Sequence, residues 1–410
     1  MKGMSANALE SWALNQVSIL KGDQMFDITT LIQTVVVEED MQKGLISGSI
    51  AFIDTMNLLE TIGMTGDERL YLSFNSYTSD LTEKDPYTKL FSISRYQEYS
   101  EPNLKTKNAV QLEFCTPAEI TNELSHVSKS YKNTSNSQIV KEMLDVLKID
   151  DEINIEETLF MKDIVVPNIT PLEVISWMGQ YSISKENGDS NFYFFENRNG
   201  VNFVSGQSLS KQEAFEIIVE GTNPTDLKMH KKASNYQRVK GFDMLEQNRS
   251  GASGLKIMMR DGLRKGYKEE TVTFESVKEN FPVLNTESAV VIPEEVKNAR
   301  QIYISTEQMY QYNNKSSFGN MYANKIINRM SMSTKRSFLE TPGDSDMTVG
   351  MLLDIKTLNQ IGRSSVRDSG KWLVTKCRHI INVNDGRYRQ ELDLVSDSNI
   401  LGDTNVSRSQ

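Results

Sequence analysis

The side chains best suited to chemistry are few and scattered. The chain has three histidines, His126, His230 and His379, and two cysteines, Cys115 and Cys377. Cys377 and His379 are two apart, so on a strand they share a face and could form a nucleophile pair. No orienting acid is visible beside them, and the residues read as surface or satisfied core groups. Two thiols in a chain of this length make neither a disulfide framework nor a zinc site. His126, between Ser125 and Val127, is read as a solvated residue on a helix. The sequence contains no His-Glu-x-x-His zinc motif, no Gly-x-Ser-x-Gly elbow and no phosphate loop. Gly370-Lys371 lacks the upstream glycine that a phosphate loop needs and sits where a strand begins. Asp344-Ser345-Asp346 starts like a calcium loop, but Val349 stands where glycine is required and Ile355 where glutamate is required. A pair of carboxylates acting on a sugar can be far apart in sequence, so that chemistry stays open. No catalytic, cofactor-binding or metal-ligating residue is assigned.

Charge narrows the field further. Lys+Arg number 45 against Asp+Glu 55, a net charge of -10, which argues against phosphate neutralisation as the main task. Lys228, His230, Lys231, Lys232, Arg238 and Lys240 form the densest basic stretch, echoed by Lys256, Arg260, Arg264, Lys265 and Lys268. They read as a solvated face, or as a contact with an acidic neighbour such as a second copy of the chain. Residues Met1–Asn7 lack the apolar core of a signal peptide, and no apolar run is long enough to cross a bilayer. A soluble protein made in the cytoplasm, without membrane insertion, is expected.

The elements that would carry these residues are mainly β. With 410 residues and a hydrophobic fraction of 38%, the chain can fill several small cores. Period-two alternation marks strands at Ile46, Gly48, Ile50 and Phe52; at Leu70, Leu72 and Phe74; at Phe91 and Ile93; and at Val110, Leu112 and Phe114. Ile28 to Val37 is rich in β-branched residues and closes on Glu38-Glu39-Asp40. At Thr116-Pro117-Ala118-Glu119 a capping box predicts a helix whose apolar face runs through Ile120, Leu124, Val127 and Tyr131. A second helix follows Ser137, a third opens at Thr170-Pro171-Leu172-Glu173, and Phe192 to Val204 reads as a hairpin. Strand signals return at Phe215 to Val219 and Val239 to Met244, then a less regular stretch, then a helix from Phe318 to about Met332. Met351 to Ile355, Trp372 to Lys376 and Gln390 to Leu394 complete the β pattern, with a turn at Asp385-Gly386.

The early and late β regions repeat one design. Leu70 to Phe74, Phe91 to Arg95 and Val110 to Phe114 correspond in order and spacing to Met351 to Ile355, Trp372 to Lys376 and Gln390 to Leu394. Leu112 and Leu392 are expected on matching faces.

This layout resembles the central baseplate-hub protein of contractile-tailed phages, related to the hub part of secretion-system spike proteins. The resemblance rests on Leu45 to Phe52, Ile139 to Leu144, Pro171 to Trp177 with the Phe194 to Val204 hairpin, and Lys371 to Leu394, in that order. It implies two similar small antiparallel β-barrels with α+β inserts, on a mainly β chain. The expected division is 1-115 for the first barrel, 116-208 for an α+β insert, 209-247 and 335-397 for the second barrel, 248-334 for a second insert, and 398-410 for a flexible tail. It also implies a homotrimeric, pseudo-sixfold ring in the virion that joins the tail tube protein to the spike protein, touches other baseplate proteins and lets DNA pass without specific binding. On that reading the chain is no enzyme. Another baseplate or spike component, or a carbohydrate-binding or -cleaving tail protein, remains open.

Overall fold

A computed structural model describes residues 2–3, 12–55, 57–77, 84–100, 108–149, 151–159, 161–219, 232–261, 265–290, 292, 300–305, 318–357 and 365–401. His230 and the basic residues Lys228, Lys231 and Arg264 lie outside the described residues.

Two sets of six strands carry the chain. The first comprises Trp12–Lys21, Ile32–Asp40, Ser47–Asp54, Arg69–Ser76, Tyr87–Ser100 and Asn108–Cys115. Across the sheet they lie in the order first, fourth, fifth, sixth, third, second. The second set comprises Phe215–Val219, Asn235–Lys240, Lys335–Pro342, Leu352–Thr357, Gly370–Asn382 and Arg387–Ser396, and its order is the same. Side chains alternate as the sequence requires. Leu70, Leu72, Phe74, Phe91, Leu112 and Phe114 are buried in one core, and Leu339, Leu353, Ile355, Trp372, Val374, Leu392 and Leu394 in the other. Each such side chain contributes about 1.5–3 kcal/mol through its removal from water.

The ladders agree in detail. Ile93 faces Phe114 and Arg95 faces Glu113, with a bulge between them. Val374 faces Leu394 and Lys376 faces Asp393, again with a bulge between. The extra residue is Ser94 in one set and Thr375 in the other, and each hydroxyl donates to the opposite backbone carbonyl, of Glu113 and of Asp393, at 3.1 Å. Leu112 and Leu392 hold equivalent, buried places. On the neighbouring strand Leu70 faces Phe91, whereas Leu353, not Met351, faces Trp372. The expected alignment there is therefore two residues out, a shift that leaves every side chain on its proper face.

The expectation of two closed barrels is not met. Among the described residues both sets belong to one open sheet of 15 strands. The reason is the outer half of Gly370–Asn382: residues 376–382 give their second edge to Ile32–Asp40 of the other set, with Lys376 opposite Asp40 and Asn382 opposite Thr34. A strand shared in this way extends a sheet instead of closing one. The sets also differ at their far strand. Trp12–Lys21 runs antiparallel to Arg69–Ser76, whereas Phe215–Val219 runs parallel to Leu352–Thr357.

Between the sets, helices Asn136–Leu147 and Pro171–Gln180 pack on a hairpin of Phe192–Asn197 and Gly200–Ser205. Helix Pro117–Leu124 ends before Val127, and Val127–Ser135 is a strand paired with Met161–Ile169. The expected helical face through Val127 and Tyr131 therefore does not form. Ser, Asn and Thr dominate that stretch, and their side chains compete for backbone groups in a helix interior. His126 is an exposed residue of the intervening turn. Thr116 does not cap the first helix through its side chain. A second insert holds strands Gly254–Asp261, Gly266–Thr273 and Arg300–Ser305 beneath helix Phe318–Met332, where the sequence suggested irregular chain. The expected tail is anchored at its start: Ser398–Asn399 pairs with Glu287–Ser288, and buried Asp397 accepts from Lys278 and from the Leu284 backbone. Residues 402–410 lie outside the described ones.

Candidate functional site

Among the described residues, a dense assembly of chemically competent side chains lies where the two sets join. Strand alternation sends neighbouring residues of Ile32–Asp40 to opposite faces, and their carboxylates meet opposite fates. Glu38 faces outward and accepts from Arg378 Nη2 at 2.8 Å, Lys43 Nζ at 2.5 Å and Lys376 Nζ at 3.1 Å. Partial burial works against its charge, but those three cations outweigh it and hold the carboxyl down at about 2. Glu39 faces inward with no exposed surface. Burial pushes its carboxyl up to about 7, against the hydrogen bonds it accepts from the Thr348 hydroxyl, Val349 N at 3.0 Å and Tyr87 Oη at 3.2 Å.

Around Glu39 the sets interlock. His379 Nδ1 lies 2.7 Å from Tyr388 Oη and 3.1 Å from Gln390 Nε2, and its Nε2 lies 3.5 Å from Cys377 Sγ. Those contacts form one consistent network if Tyr388 and Gln390 donate to Nδ1 and Nε2 carries the ring proton. Phe74 and Tyr87 of the first set stack at 4.9 Å and flank the imidazole at 5.7 and 5.4 Å. Burial drives the His379 pKa down to about 3, so the ring is neutral. Burial, with the nearby Glu39 charge, raises the Cys377 thiol well above its ordinary range.

Chemically, Glu39, Cys377 and His379 offer ligand atoms all within 4.8 Å of one another, a donor set that suits zinc. Every one of those side chains is fully buried and already engaged by protein partners in the network above. A nucleophile pair fails on the same ground and on access, since Cys377 and His379 have no exposed surface. The cluster is a polar bolt between the two sets. Sequence reasoning missed its acid because Glu39 lies more than 300 residues from His379, and strand pairing alone brings them together.

Two further ties were equally invisible in sequence. Glu196 of the insert hairpin accepts from Lys89 Nζ at 2.7 Å, Thr116 Oγ1 at 2.5 Å and Ile46 N at 3.1 Å, fixing the insert to the first set. The calcium-like loop serves the same end. Asp344 pairs with Lys84 at 2.6 Å, and Asp346 pairs with Lys84 at 3.1 Å and with Arg198. Four of the basic residues read as a patch are matched within the chain: Lys256 with Glu269 at 2.6 Å, Lys268 with Glu270, Lys240 with Glu246, and Arg238 with Asp368 at 2.5 Å.

Two clefts bear on the sugar reading. One of about 370 Å³ is lined by Lys43, Phe194, Lys325 and Arg329, with no carboxylate among the described residues of its walls. Another contains Glu156 and Glu157, but Ser205 and Ser208 occupy the first, and Lys185 at 2.6 Å the second. Among the described residues no helix is long and apolar enough to cross a membrane.

Comparison with known proteins bears on the whole chain. No family model matches it. It is 26% identical over 416 residues to a probable baseplate hub protein of Vibrio phage KVP40, covering 97% of this chain and 97% of that one. Among solved structures it superposes on the tail protein of Neisseria meningitidis MC58 with a TM-score of 0.59 at 10% identity, over 93% of this chain and 96% of that one. It superposes on a chain of the Francisella PdpA–VgrG complex with a TM-score of 0.53 at 10% identity, over 95% of this chain and 53% of that one. The structural likenesses establish a shared fold, and the resemblance to baseplate-hub proteins extends over nearly the full sequence.

Proposed function

We propose that this chain is a structural baseplate-hub subunit of a contractile phage tail. Three copies form a pseudo-sixfold ring that seats the hexameric tail tube on one side and a threefold spike on the other. The observation that carries this reading is the strand order and shared bulge of the two sets. A trimer can present six similar surfaces to a sixfold partner only if each chain holds two, because closed rings otherwise require matching symmetry. The likeness to a phage hub protein over the whole chain supports the same assignment. The place of action is then the virion baseplate, and the partners are two further copies, the tube protein, the spike and neighbouring baseplate proteins.

On this reading the chain does no covalent chemistry. Its buried Glu39–Cys377–His379 cluster holds the halves of the adaptor at a fixed angle. With a net charge of -10, the ring lets DNA slide through without neutralising its phosphates. Native mass measurement of the purified chain tests the proposal: a trimer is expected, and a chain that stays monomeric alone and with its spike contradicts it. Cleavage of cell-wall substrate, abolished by one carboxylate substitution, would replace it with an enzymatic reading.

A further inference from the structure

The internal joint is half of a pattern whose other half the described residues of a single chain do not supply. Within the chain, the second strand of the first set pairs with the outer half of the fifth strand of the second set. The reciprocal elements are the outer half of Tyr87–Ser100 and the strand Asn235–Lys240. Residues 95–100 pair with Asn108–Cys115 along one edge, and Asn235–Lys240 pairs with Lys335–Pro342 along one edge. Among the described residues no strand pairs with the other edge of either. An open sheet edge is a template for another strand.

Equivalent positions show what is uncovered. The ladders make Tyr96 the counterpart of Cys377 and Glu98 the counterpart of His379. They make Arg238 the counterpart of Val37, since Val37 faces Gly48, which faces Phe114, while Arg238 faces Ser337, which faces Leu394. Cys377, His379 and Val37 have no exposed surface, whereas Tyr96 is 46% exposed, and Glu98 and Arg238 are exposed. Exposed large apolar side chains collect at both edges: Tyr96 and Tyr99 on one, Val239 and Phe242 on the other.

We propose that these two edges pair with each other between copies, so that residues 95–100 of one chain lie antiparallel to Asn235–Lys240 of a second. The register follows from the joint already present. Val37 faces His379 and Val36 faces Ile380; the transferred pairs are therefore Arg238 with Glu98 and Gln237 with Tyr99. This places opposite charges across the new ladder, the Arg238 guanidinium taking Glu98 as a second carboxylate beside Asp368. Each chain offers one edge of each kind, a head-to-tail contact that propagates and closes as a ring. The proposal rests on the ring reading above and supplies its contact.

The test is disulfide capture in the full-length chain carrying Glu98→Cys and Arg238→Cys. Directly opposed residues of antiparallel strands lie within disulfide reach, and the native Cys115 and Cys377 are buried. Mild oxidation is expected to give a covalent trimer that reduction returns to monomer, with neither single variant cross-linking. Glu98→Cys with Gln237→Cys, one residue out and on the opposite face, is expected to cross-link far less. A trimer by native mass that does not cross-link through 98 and 238 overturns the edge pairing and leaves the hub reading standing. A covalent dimer that goes no further keeps the pairing and overturns the threefold ring. A monomer without cross-links overturns both. Because Arg238→Cys removes the pair with Asp368, a second measurement leaves that residue alone. Glu98→Arg is expected to weaken self-association by about tenfold or more with the monomer's thermal midpoint unchanged; unaltered association contradicts the proposal.

Discussion

The first and second strand sets have the same order and bulge, yet one buries a strand half that the other leaves open. In the second set residues 376–382 are covered by Ile32–Asp40, and Cys377 and His379 lie in a dry polar core. In the first set the counterparts Tyr96 and Glu98 face solvent. Two copies of one design have thus diverged according to what covers them. The covered copy carries a small thiol and a neutral imidazole, and the uncovered one carries an aromatic ring and a charge of the kind that suits an interface rim.

The joint between the sets is most sensitive at the bolt. Glu39→Ala removes the acceptor of the Thr348 hydroxyl and the Val349 N–H, leaving buried donors unpaired. A loss of about 3 kcal/mol in unfolding free energy is expected, measured by denaturant titration; a loss below about 1 kcal/mol would show that the joint does not hold the sets together.

The pH dependence of the same residue sharpens this. Glu39 is held at about 7 against an ordinary 4.5, so the fold binds its proton more tightly than the unfolded chain does. That contribution is complete below pH 4.5 and is lost as pH rises to about 7. Relative to Glu39→Gln, which has no proton to lose, the wild type should lose roughly 2–3 kcal/mol across that window. His379, held at about 3 against 6.5, works oppositely: its contribution is complete above pH 6.5 and is lost on acidification. The two partly cancel in the wild type, so the difference curve between the two proteins is the decisive reading. A flat difference contradicts a buried, proton-binding Glu39.

Equivalent positions of the third strand differ in room. A Cβ on Gly48 would lie 2.2 Å from the Val36 carbonyl oxygen and 2.4 Å from the Phe114 ring, whereas Ser337 holds the matching place opposite Leu394. Gly48→Ala should cost about 1–3 kcal/mol through overpacking, and Ser337→Ala about 1 kcal/mol through its bond to Tyr236 at 2.9 Å. Thermal midpoints of the two proteins check the ranking. The smallest effect is expected at the bulges. Ser94→Ala and Thr375→Val remove equivalent hydroxyl bonds and should each cost about 0.5–1.5 kcal/mol; a strongly unequal pair would mean that the two bulges do different work.

Much of this comparison was legible in sequence, and what escaped has a physical cause. Alternation at Leu70, Leu72 and Phe74, and at Leu392 and Leu394, marks strands and faces because it is local. Helix Phe318–Met332 and the Phe192–Ser205 hairpin announced themselves through periodicity and turn residues. The two-residue slip at Leu70 and Leu353 could not be seen, since a shift of two preserves the apolar pattern. Glu39 read as one member of an acidic run, because its burial depends on strand 376–382 from the far end of the chain. The closure of each set was overestimated for the same reason: which edge a strand shares is decided by partners distant in sequence.

The most direct test of the adaptor is a reconstruction of the assembled ring by electron cryo-microscopy with only threefold symmetry imposed. Six similar lobes at one radius are expected, the two sets of each chain related by about a sixth of a turn. Six lobes of that kind, each built from one strand set, would establish the symmetry match. Two sets at different radii or heights, or an assembly without threefold symmetry, would contradict it.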